Sequence, residues 1–263
     1  MITIDSKLTL VTGLHIGGAD DSMKIGGVDS PVMRREVFCS DNGEVGFGNT
    51  RRIEEPYIAG SSLKGKVRTL LEHYFRLIHP IEGDGKPIGS NNKYGDEKYR
   101  DLIVSLFGDS ADGRNIRTKN KEKIEKIEVT RAVFRDCFIT QEVRKAYLSN
   151  QINLFESKYE NVIDRKTGTT ISGGLRQIER VPSAVEFDFT LTIRVFKDDN
   201  ESLLKNTILL GLKLLELDAL GGNGSRGYGQ VRFDELKVDN ELVALNESIK
   251  ELDEKIKNEI NQN

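Results

Sequence analysis

Residues 60–66 have the residue types and the spacing that bind phosphate. The segment reads Gly-Ser-Ser-Leu-Lys-Gly-Lys and nearly matches the phosphate-binding loop of nucleotide-hydrolysing enzymes. Position 67 is valine, however, so the hydroxyl group that would hold Mg²⁺ in such a loop is missing. No convincing hydrophobic strand ending in a metal-binding aspartate follows it either. A nucleotide-binding enzyme that uses this loop is therefore an alternative hypothesis and not the main one.

The same segment still favours a phosphate group, because it opens a predicted helix. Ser61 and Ser62 can cap that helix, whose free N–H groups and dipole attract an anion. Lys64 and Arg68 share one helical face, and Lys66 lies near the same end. The competing interpretation is a capped helix with solvated lysines.

Residues 221–229 form a second loop that could approach a phosphate backbone. Five of its nine residues are glycine, and Arg226 supplies one positive charge. The loop contains the pattern G-x-G-x-x-G, but it follows a predicted helix and precedes a predicted strand, unlike a dinucleotide-binding loop. Glycines allow close approach to a polymer backbone. The competing interpretation is a flexible connector.

Two further residues could act on a ligand but also have ordinary structural explanations. His15, which precedes Gly17 and Gly18, could stack on a base or bond a phosphate, although a lone histidine is more often structural. Asp29 is a lone carboxylate in a glycine-containing loop that leads to Arg34, and composition alone makes it a turn residue. The sequence has no evident Ser/His/Asp or Cys/His arrangement and no metal-ligand pattern.

The elements that must position these residues follow the order β-α-β-β-α-β. The predicted strand at 185–195 alternates apolar with polar residues, so one of its faces is buried and the other is wet. The order predicts an α+β, ferredoxin-like fold, whose open sheet face binds RNA in some proteins and other ligands in many more. The predicted strands span about residues 2–11, 127–139, 185–195 and 230–238, and the predicted helices about 62–78 and 203–217.

We expect one domain, at residues 1–240, followed by an amphipathic helix. The third of its long insertions suggests a protruding hairpin, with Arg165 near the tip and Arg176 on the returning arm. Apolar residues recur at steps of three and four in 241–263, which predicts a helix that docks on its own chain or on a neighbour. The insertions span about residues 13–60, 80–126 and 140–182.

The composition limits the possible partners and location. The chain has 263 residues and a formal net charge of −3, which argues weakly against non-specific nucleic-acid binding. Basic residues nevertheless occur in clusters such as Arg34-Arg35 and Arg51-Arg52. Two cysteines are too few for a disulfide framework, and no apolar run approaches the roughly 20 residues that span a bilayer. The N-terminus lacks signal-peptide features, so we expect a cytoplasmic protein with no membrane partner.

Five segments occur in an order that resembles one family. They are residues 13–18, 29–32, 60–66, 164–181 and 220–229. Together they resemble the RAMP-superfamily backbone subunits of type III-A CRISPR (Csm) effector complexes, and the resemblance covers most of the chain to about Val238. Each motif alone is a weak signal, whereas five in register are specific.

The resemblance implies a fold and an assembly. The fold is an RNA-recognition-motif-like palm, and the 140–182 insertion holds a thumb β-hairpin. Several copies of the chain stack in a helical filament along one guide RNA, together with other Csm subunits. Each thumb interrupts the duplex of guide and complementary target RNA, so that the target is cut at regular intervals.

The resemblance also implies an endoribonuclease and the residues that serve it. Asp29 matches the family's catalytic aspartate, which acts with a divalent metal ion; we expect Mg²⁺ held by Asp29 and an RNA phosphate. A ribose 2′-hydroxyl attacks the adjacent phosphate and leaves a cyclic phosphate and a 5′-hydroxyl. An alternative is a subunit that only holds guide RNA, in which Asp29 has no catalytic role. The residues expected to bind RNA are His15, Gly17, Gly18, Arg34, Arg52, Ser61, Ser62, Lys64, Lys66, Arg68, Arg165, Arg176 and Arg226.

Overall fold

The computed structural model describes residues 1–18, 30–79, 85–109, 129–243 and 248–262. In this part of the chain the protein is an α+β structure with an antiparallel sheet of eight strands, a separate two-stranded hairpin and five α-helices. The strands are β1 (Ile2–Leu10), β2 (Arg34–Cys39), β3 (Arg51–Ile58), β4 (Ala132–Phe134), β5 (Cys137–Ile139), β6 (Glu156–Glu160), β7 (Arg176–Arg180), β8 (Glu186–Ile193), β9 (Val231–Val238) and β10 (Glu241–Leu242). The helices are α1 (Gly60–Tyr74), α2 (Glu97–Phe107), α3 (Gln141–Leu148), α4 (Glu201–Leu217) and α5 (Ile249–Gln262).

The main sheet is built around β1 and β8. Its strands follow the order β10-β9-β1-β8-β5-β3-β2, and β4 also pairs with β8. Strands β1 and β8 pair antiparallel with Leu8 opposite Phe187. The alternation predicted for residues 185–195 is confirmed, because the same face of β8 buries Phe187, Phe189, Leu191 and Ile193.

Helices α1 and α4 supply the other half of the core. Leu63, Val67 and Leu71 of α1 are fully buried, each contributing roughly 1.5–3 kcal/mol by its removal from water. The two helices approach closely at Gly211 of α4, where a Cβ atom would lie 2.6 Å from Val67 Cγ1. The predicted apolar helix at 203–217 is therefore confirmed as a buried element.

The opposite face of β1 and β8 is polar. It carries Asp5 and Lys7 on β1 and Asp188 and Thr190 on β8, and it has no aromatic ring on these two strands. Thr190 Oγ1 donates to Asp5 Oδ1 at 2.7 Å. Partial burial, followed by the charge of Glu142, raises the pKa of Asp188. RNA-recognition domains stack bases on aromatic rings of their sheets, and these two strands offer no such rings.

The start of α1 differs from the sequence prediction. The helix begins at Gly60, with Ala59 at the N-cap position, and no side chain caps it from that position. The prediction that Ser61 and Ser62 cap the helix was therefore wrong. Asp136 instead accepts a hydrogen bond from the Gly60 N–H at 2.8 Å. Glycine is needed there because a Cβ atom would lie 2.5 Å from the carbonyl oxygen of Phe134.

The end of α1 also differs from the prediction. The helix stops at Tyr74, whereas the apolar pattern predicted a helix as far as residue 78. Arg76 has a φ of 55°, which no α-helix accommodates, and the chain turns there. Leu77 is nevertheless fully buried. Apolar residues beyond Tyr74 therefore belong to the core although they do not belong to the helix.

Two elements between 127 and 148 were mispredicted or missed. The single strand predicted at 127–139 is two short strands, β4 and β5, while residues 127 and 128 lie outside the described residues. Asp136, which caps α1, lies between the two short strands. Helix α3 then opens the third insertion, with Thr140 Oγ1 accepting from the Val143 N–H at 3.3 Å.

The first insertion is partly regular structure. Strands β2 and β3 form a hairpin that extends the main sheet at its edge. Glu55 on β3 is fully buried and paired with Arg35 on β2 and with Arg144 on α3. Removing one partner from such a buried pair leaves an uncompensated charge, so this ion pair fixes the hairpin against α3.

The C-terminal helix docks on its own chain. Helix α5 packs on α4, buries Leu252, Ile256 and Ile260, and Ser202 Oγ donates to Glu259 Oε1. The prediction of a docked amphipathic helix is confirmed for Ile249–Gln262, whereas Leu242 lies in β10 and residues 244–247 lie outside the described residues. Among the helices that the structure describes, none has the length and apolarity needed to cross a bilayer.

Candidate nucleic-acid interface

The turn after β1 and the glycine loop before β9 form one surface. The Gly222 N–H donates to the carbonyl of His15 at 2.9 Å, and the Gly229 N–H donates to the carbonyl of Gly13 at 3.0 Å. Gly221 has a φ of 75°, and a Cβ atom there would lie 2.3 Å from the His15 carbonyl oxygen. The loop at 221–229 is thus an ordered element, which excludes the flexible-connector interpretation.

The His15 side chain points into the protein. It is 8% exposed, and its Nδ1 lies 2.7 Å from the carbonyl oxygen of Glu179. Its Nε2 lies 3.2 Å from Ser30 Oγ. A carbonyl only accepts, so Nδ1 carries a proton and donates to Glu179. Both ring nitrogens are used within the fold, and the geometry gives His15 a supporting role beneath the surface.

The predicted catalytic residue, Asp29, lies outside the described residues, and the segments on either side of 19–29 contact each other. The Gly18 N–H donates to the carbonyl of Pro31 at 3.1 Å, and the Met33 N–H donates to the carbonyl of Ile16 at 2.9 Å. Gly17 pairs with Val32 in the same antiparallel contact. The flanks of residues 19–29 therefore lie side by side on the surface that contains His15.

Arg34 is held by carboxylates of the protein. Its guanidinium donates to the carboxylate of Glu179, contacts Glu54 Oε2 at 3.3 Å, and lies 4.5 Å from the ring centroid of Phe155. Glu179 is 8% exposed and also accepts from the Val32 N–H at 2.9 Å. These contacts anchor the strand that follows Ser30 and leave Arg34 only partly open to solvent.

The first turn of α1 presents a mixed set of predicted RNA-binding residues. Ser61 is exposed and Ser62 is half-buried. Burial, followed by the charge of Arg68, lowers the pKa of the half-buried Lys64. Lys66 Nζ lies 2.9 Å from Asp218 Oδ2 at the end of α4. This exposed ion pair connects α1 to the C-terminal end of α4, which precedes the loop at 221–229.

Arg68 and the valine at position 67 point away from this surface. Arg68 is paired with the buried Glu72 at 2.7 Å and donates to the carbonyl of Ile88 at 2.6 Å, with 12% of its side chain exposed. Val67 is fully buried against Gly211. The helix therefore offers Lys64 and Lys66 to a ligand, whereas position 67 faces the core and no hydroxyl there could reach a bound Mg²⁺.

Tyr228 joins the glycine loop to the hairpin of β6 and β7. Its hydroxyl donates to Glu160 Oε1 at 2.9 Å, and Arg226 Nη1 contacts the other oxygen of the same carboxylate at 3.1 Å. Burial, followed by the hydrogen bond to Glu160, raises the pKa of Tyr228 to about 12, so the hydroxyl stays a donor at neutral pH. Lys158 Nζ lies 4.2 Å from the ring centroid, in cation–π geometry.

The hairpin and two predicted arginines extend away from this junction. Strands β6 and β7 pair antiparallel with Glu160 opposite Arg176, which confirms the predicted hairpin arms. Asp164 accepts from the backbone N–H groups of Thr167 and Lys166, which lowers its pKa and closes the tip beside the exposed Arg165. Arg52 lies on β3 and pairs with Glu36, so it belongs to the sheet edge instead.

Three residues that organise this surface escaped prediction. Glu179, Glu160 and Tyr228 make their defining contacts with partners that are 147 or 68 positions away in the chain. Tyr228 could have been noticed as the one aromatic residue in the glycine loop. Glutamates in a charged strand give no signal of this kind, since most of them are solvated.

The described residues contain no group of three or more histidine, cysteine, aspartate or glutamate side chains arranged to hold a metal ion. Mg²⁺ is commonly bound by one or two carboxylates together with substrate phosphates, and it keeps several waters. An ion shared between Asp29 and an RNA phosphate needs only one protein carboxylate, and this donor set suits Mg²⁺ better than a metal that demands a full protein cage.

The comparisons agree with the motifs. The sequence profile of the RAMP superfamily matches residues 7–232, and the chain belongs to this superfamily. Three relatives, each called "CRISPR system Cms endoribonuclease Csm3", come from Methanocaldococcus jannaschii (37% identical, 90% of this chain and 80% of the relative), Streptococcus thermophilus (35%, 90% and 89%) and Mycobacterium tuberculosis (36%, 95% and 93%). The resemblance inferred from the five segments is confirmed.

Proposed function

We propose that this protein is the guide-RNA-binding backbone subunit of a type III-A CRISPR effector complex and cuts complementary target RNA. The observation that carries the proposal is the match to endoribonucleases named Csm3 over 90–95% of the chain. The fold supports it, because hydrogen bonds connect the turn at 13–18 to the loop at 221–229, and the Lys66–Asp218 ion pair connects α1 to the end of α4 just before that loop.

The proposed architecture is a ferredoxin-like palm with a thumb. The order β9-β1-β8-β4/β5, with α1 and α4 covering one face, supports the palm. The β6–β7 hairpin within residues 140–182 is the proposed thumb, and Tyr228 anchors it to the palm. Residues 1–240 form the domain, with the insertions at about 13–60 and 80–126, and the chain at 241–263 completes it.

The proposed chemistry is RNA cleavage by its own ribose. The Asp29 carboxylate accepts the proton of a target 2′-hydroxyl, and the 2′-oxygen forms a bond to the adjacent phosphorus. The bond from phosphorus to the 5′-oxygen breaks, a proton passes to that oxygen, and a cyclic phosphate and a 5′-hydroxyl remain. A divalent ion, Mg²⁺ in our proposal, would be held by Asp29 and the phosphate and would offset the charge that develops there.

In this proposal the guide RNA lies across the start of α1, the turn after β1, the glycine loop and the hairpin of β6 and β7. Lys64, Lys66 and the hydroxyl groups of Ser61 and Ser62 bind phosphates at the start of α1, since a helix N-terminus attracts anions. The Ser62 N–H is used within the protein, where it donates to the carbonyl of Ala59 at 3.0 Å. Gly17 and Gly18 allow the RNA backbone to approach the protein closely. Exposed arginines on the hairpin and the glycine loop then bind further phosphates of the guide; they are Arg165, Arg176 and Arg226. His15, Arg34 and Arg68 are assigned to support, because their polar groups are used within the protein.

The proposed partners follow from this assignment. They are guide RNA, complementary target RNA, further copies of the chain in a helical filament, and other Csm subunits, all in the cytoplasm. Specificity comes from base pairing, so the protein needs to contact only backbone and shape.

The lysines at α1 give a quantitative test of guide binding. We expect Lys64→Ala/Lys66→Ala to weaken binding and to make the plot of log K against log salt concentration less steep by about 1.4, because each phosphate contact contributes about 0.7 for single strands. The exposed Lys66–Asp218 pair is weak and yields readily to a phosphate. Lys237→Ala, which removes an exposed lysine from β9, is the control and should leave the slope unchanged.

The function itself is tested by assembly and cleavage. The chain is assembled with the other Csm subunits and a defined guide RNA, and labelled complementary RNA is added with Mg²⁺. We expect evenly spaced cuts, none with a non-complementary RNA, and none after chelation of the metal by EDTA. Binding of target without cuts would instead identify a subunit that only holds guide RNA.

A further inference from the structure

Glu179 connects the thumb hairpin to the strand that follows Asp29. We propose that Glu179 is a positioning residue, whose carboxylate fixes Ser30–Arg34 in the arrangement that target cleavage requires. This inference rests on the proposed function and adds to it a residue that touches neither RNA nor metal.

The contacts of Glu179 converge on one short stretch. Its carboxylate accepts from the Val32 N–H at 2.9 Å and pairs with Arg34. Its backbone N–H donates to the carbonyl of Ser30 at 3.3 Å, and its own carbonyl accepts from His15 Nδ1, whose ring bonds Ser30 Oγ. Three residues within five positions of Asp29 are therefore held by a single residue of β7.

The side chain and the backbone of Glu179 have separable roles. The backbone contacts persist whatever side chain is present, so they keep β7 beside Ser30. The carboxylate is the part of Glu179 that reaches the Val32 N–H and Arg34. Loss of the carboxylate charge should free the Arg34 end of the stretch without detaching the hairpin.

Small displacements matter at a site of this kind. A shift of about 1 Å caused by a remote change can lower a reaction rate about 100-fold, because attack requires aligned atoms. RNA binding depends instead on many spread contacts with phosphates, which tolerate such a shift. The inference therefore predicts a defect in cleavage that exceeds any defect in binding.

Glu156 offers a matched control on the same hairpin. It lies on β6, directly across from Arg180, and contacts Arg180 Nε at 2.5 Å. Glu156→Gln removes a carboxylate charge and an ion pair from the base of the hairpin, as Glu179→Gln does. The Glu156 carboxylate pairs with Arg180, whereas the Glu179 carboxylate contacts Val32 and Arg34.

The test compares Glu179→Gln, Glu179→Asp and Glu156→Gln in complexes assembled with guide RNA. For Glu179→Gln we expect guide content and target affinity within about twofold of wild type, single-turnover cleavage roughly 10- to 100-fold slower, and unchanged spacing of cuts. Glu179→Asp, which keeps the charge, should recover part of the rate. Glu156→Gln should cut at the wild-type rate.

Each outcome supports or overturns either the positioning role of Glu179 or the proposed function. Wild-type cleavage by Glu179→Gln, or equal losses of guide binding and cleavage in Glu179→Gln and Glu156→Gln, would overturn the positioning role while the proposed function stands. Recovery of cleavage by the aspartate variant, with binding intact throughout, supports it, since a merely structural role would not separate rate from binding. A wild-type complex that binds target and never cuts it would remove the proposed function itself.

Discussion

Replacing Asp29 with alanine is expected to abolish target cleavage and to leave guide-RNA binding at the wild-type level. A positioned proton acceptor contributes about 10²- to 10⁴-fold to a reaction rate, and the variant has no other carboxylate at that position to replace it. Guide binding is expected to persist because Lys64 and Lys66 lie on α1, a different element. The measurement is single-turnover cleavage of labelled target by the assembled complex, alongside guide content per subunit.

Two companion variants sharpen this prediction. Asp29→Asn keeps the size of the side chain and removes its charge, and it should be as inactive as alanine. Asp41→Ala removes an exposed carboxylate that pairs with the exposed Arg51, and the variant should cut normally. Substantial cleavage by Asp29→Asn would assign the proton transfer to another group.

Gly229→Ala is expected to unfold the glycine loop and lower the stability of the whole protein. Gly229 has a φ of 72°, and a Cβ atom would lie 1.9 Å from the carbonyl oxygen of Leu220. Relief of this clash must break the hydrogen bonds from Leu220 N–H to Gly229 and from Gly229 N–H to Gly13. We expect the free energy of unfolding to fall by more than about 4 kcal/mol, which is exceptional for one substitution.

Gly227→Ala is a matched control for this effect. Gly227 has a φ of 80°, close to that of Gly229, but a Cβ atom there would meet nothing within 4 Å. The free energy of unfolding of Gly227→Ala should fall by only about 1–2 kcal/mol, which is the cost of placing alanine in a left-handed backbone conformation. Urea denaturation of both variants measures the difference, and equal losses would show that the close approach to Leu220 contributes nothing.

The sequence predicted the elements whose apolar pattern reports directly on the core. Strand β8 was predicted because one buried face gives an alternation of apolar and polar residues, and helix α4 because most of its residues are apolar. The glycine loop stood out in the sequence because five of its nine residues are glycine, and the structure shows that it is hydrogen-bonded to the turn after β1. The candidate catalytic and RNA-binding residues follow no apolar pattern, and they were inferred from the family motifs.

The features that the sequence did not predict depend on long-range partners. Asp136 caps α1 from 76 positions away, which is why the serines at the start of the helix were mistaken for caps. The hairpin of β2 and β3 is held by buried Glu55, and its charged residues looked solvated. The family resemblance implied that His15 binds RNA, and nothing local in the sequence indicated that Glu179 and Ser30 contact its ring nitrogens.

The polar face of the sheet has a consequence for how RNA reaches the protein. Asp5 and Asp188 lie on that face, and their charges repel a polyanion, whereas the N-terminal end of α1 and the glycine loop attract one. In our proposal RNA therefore approaches from the side of α1 and the glycine loop, and the carboxylates of the sheet face disfavour its binding at that face.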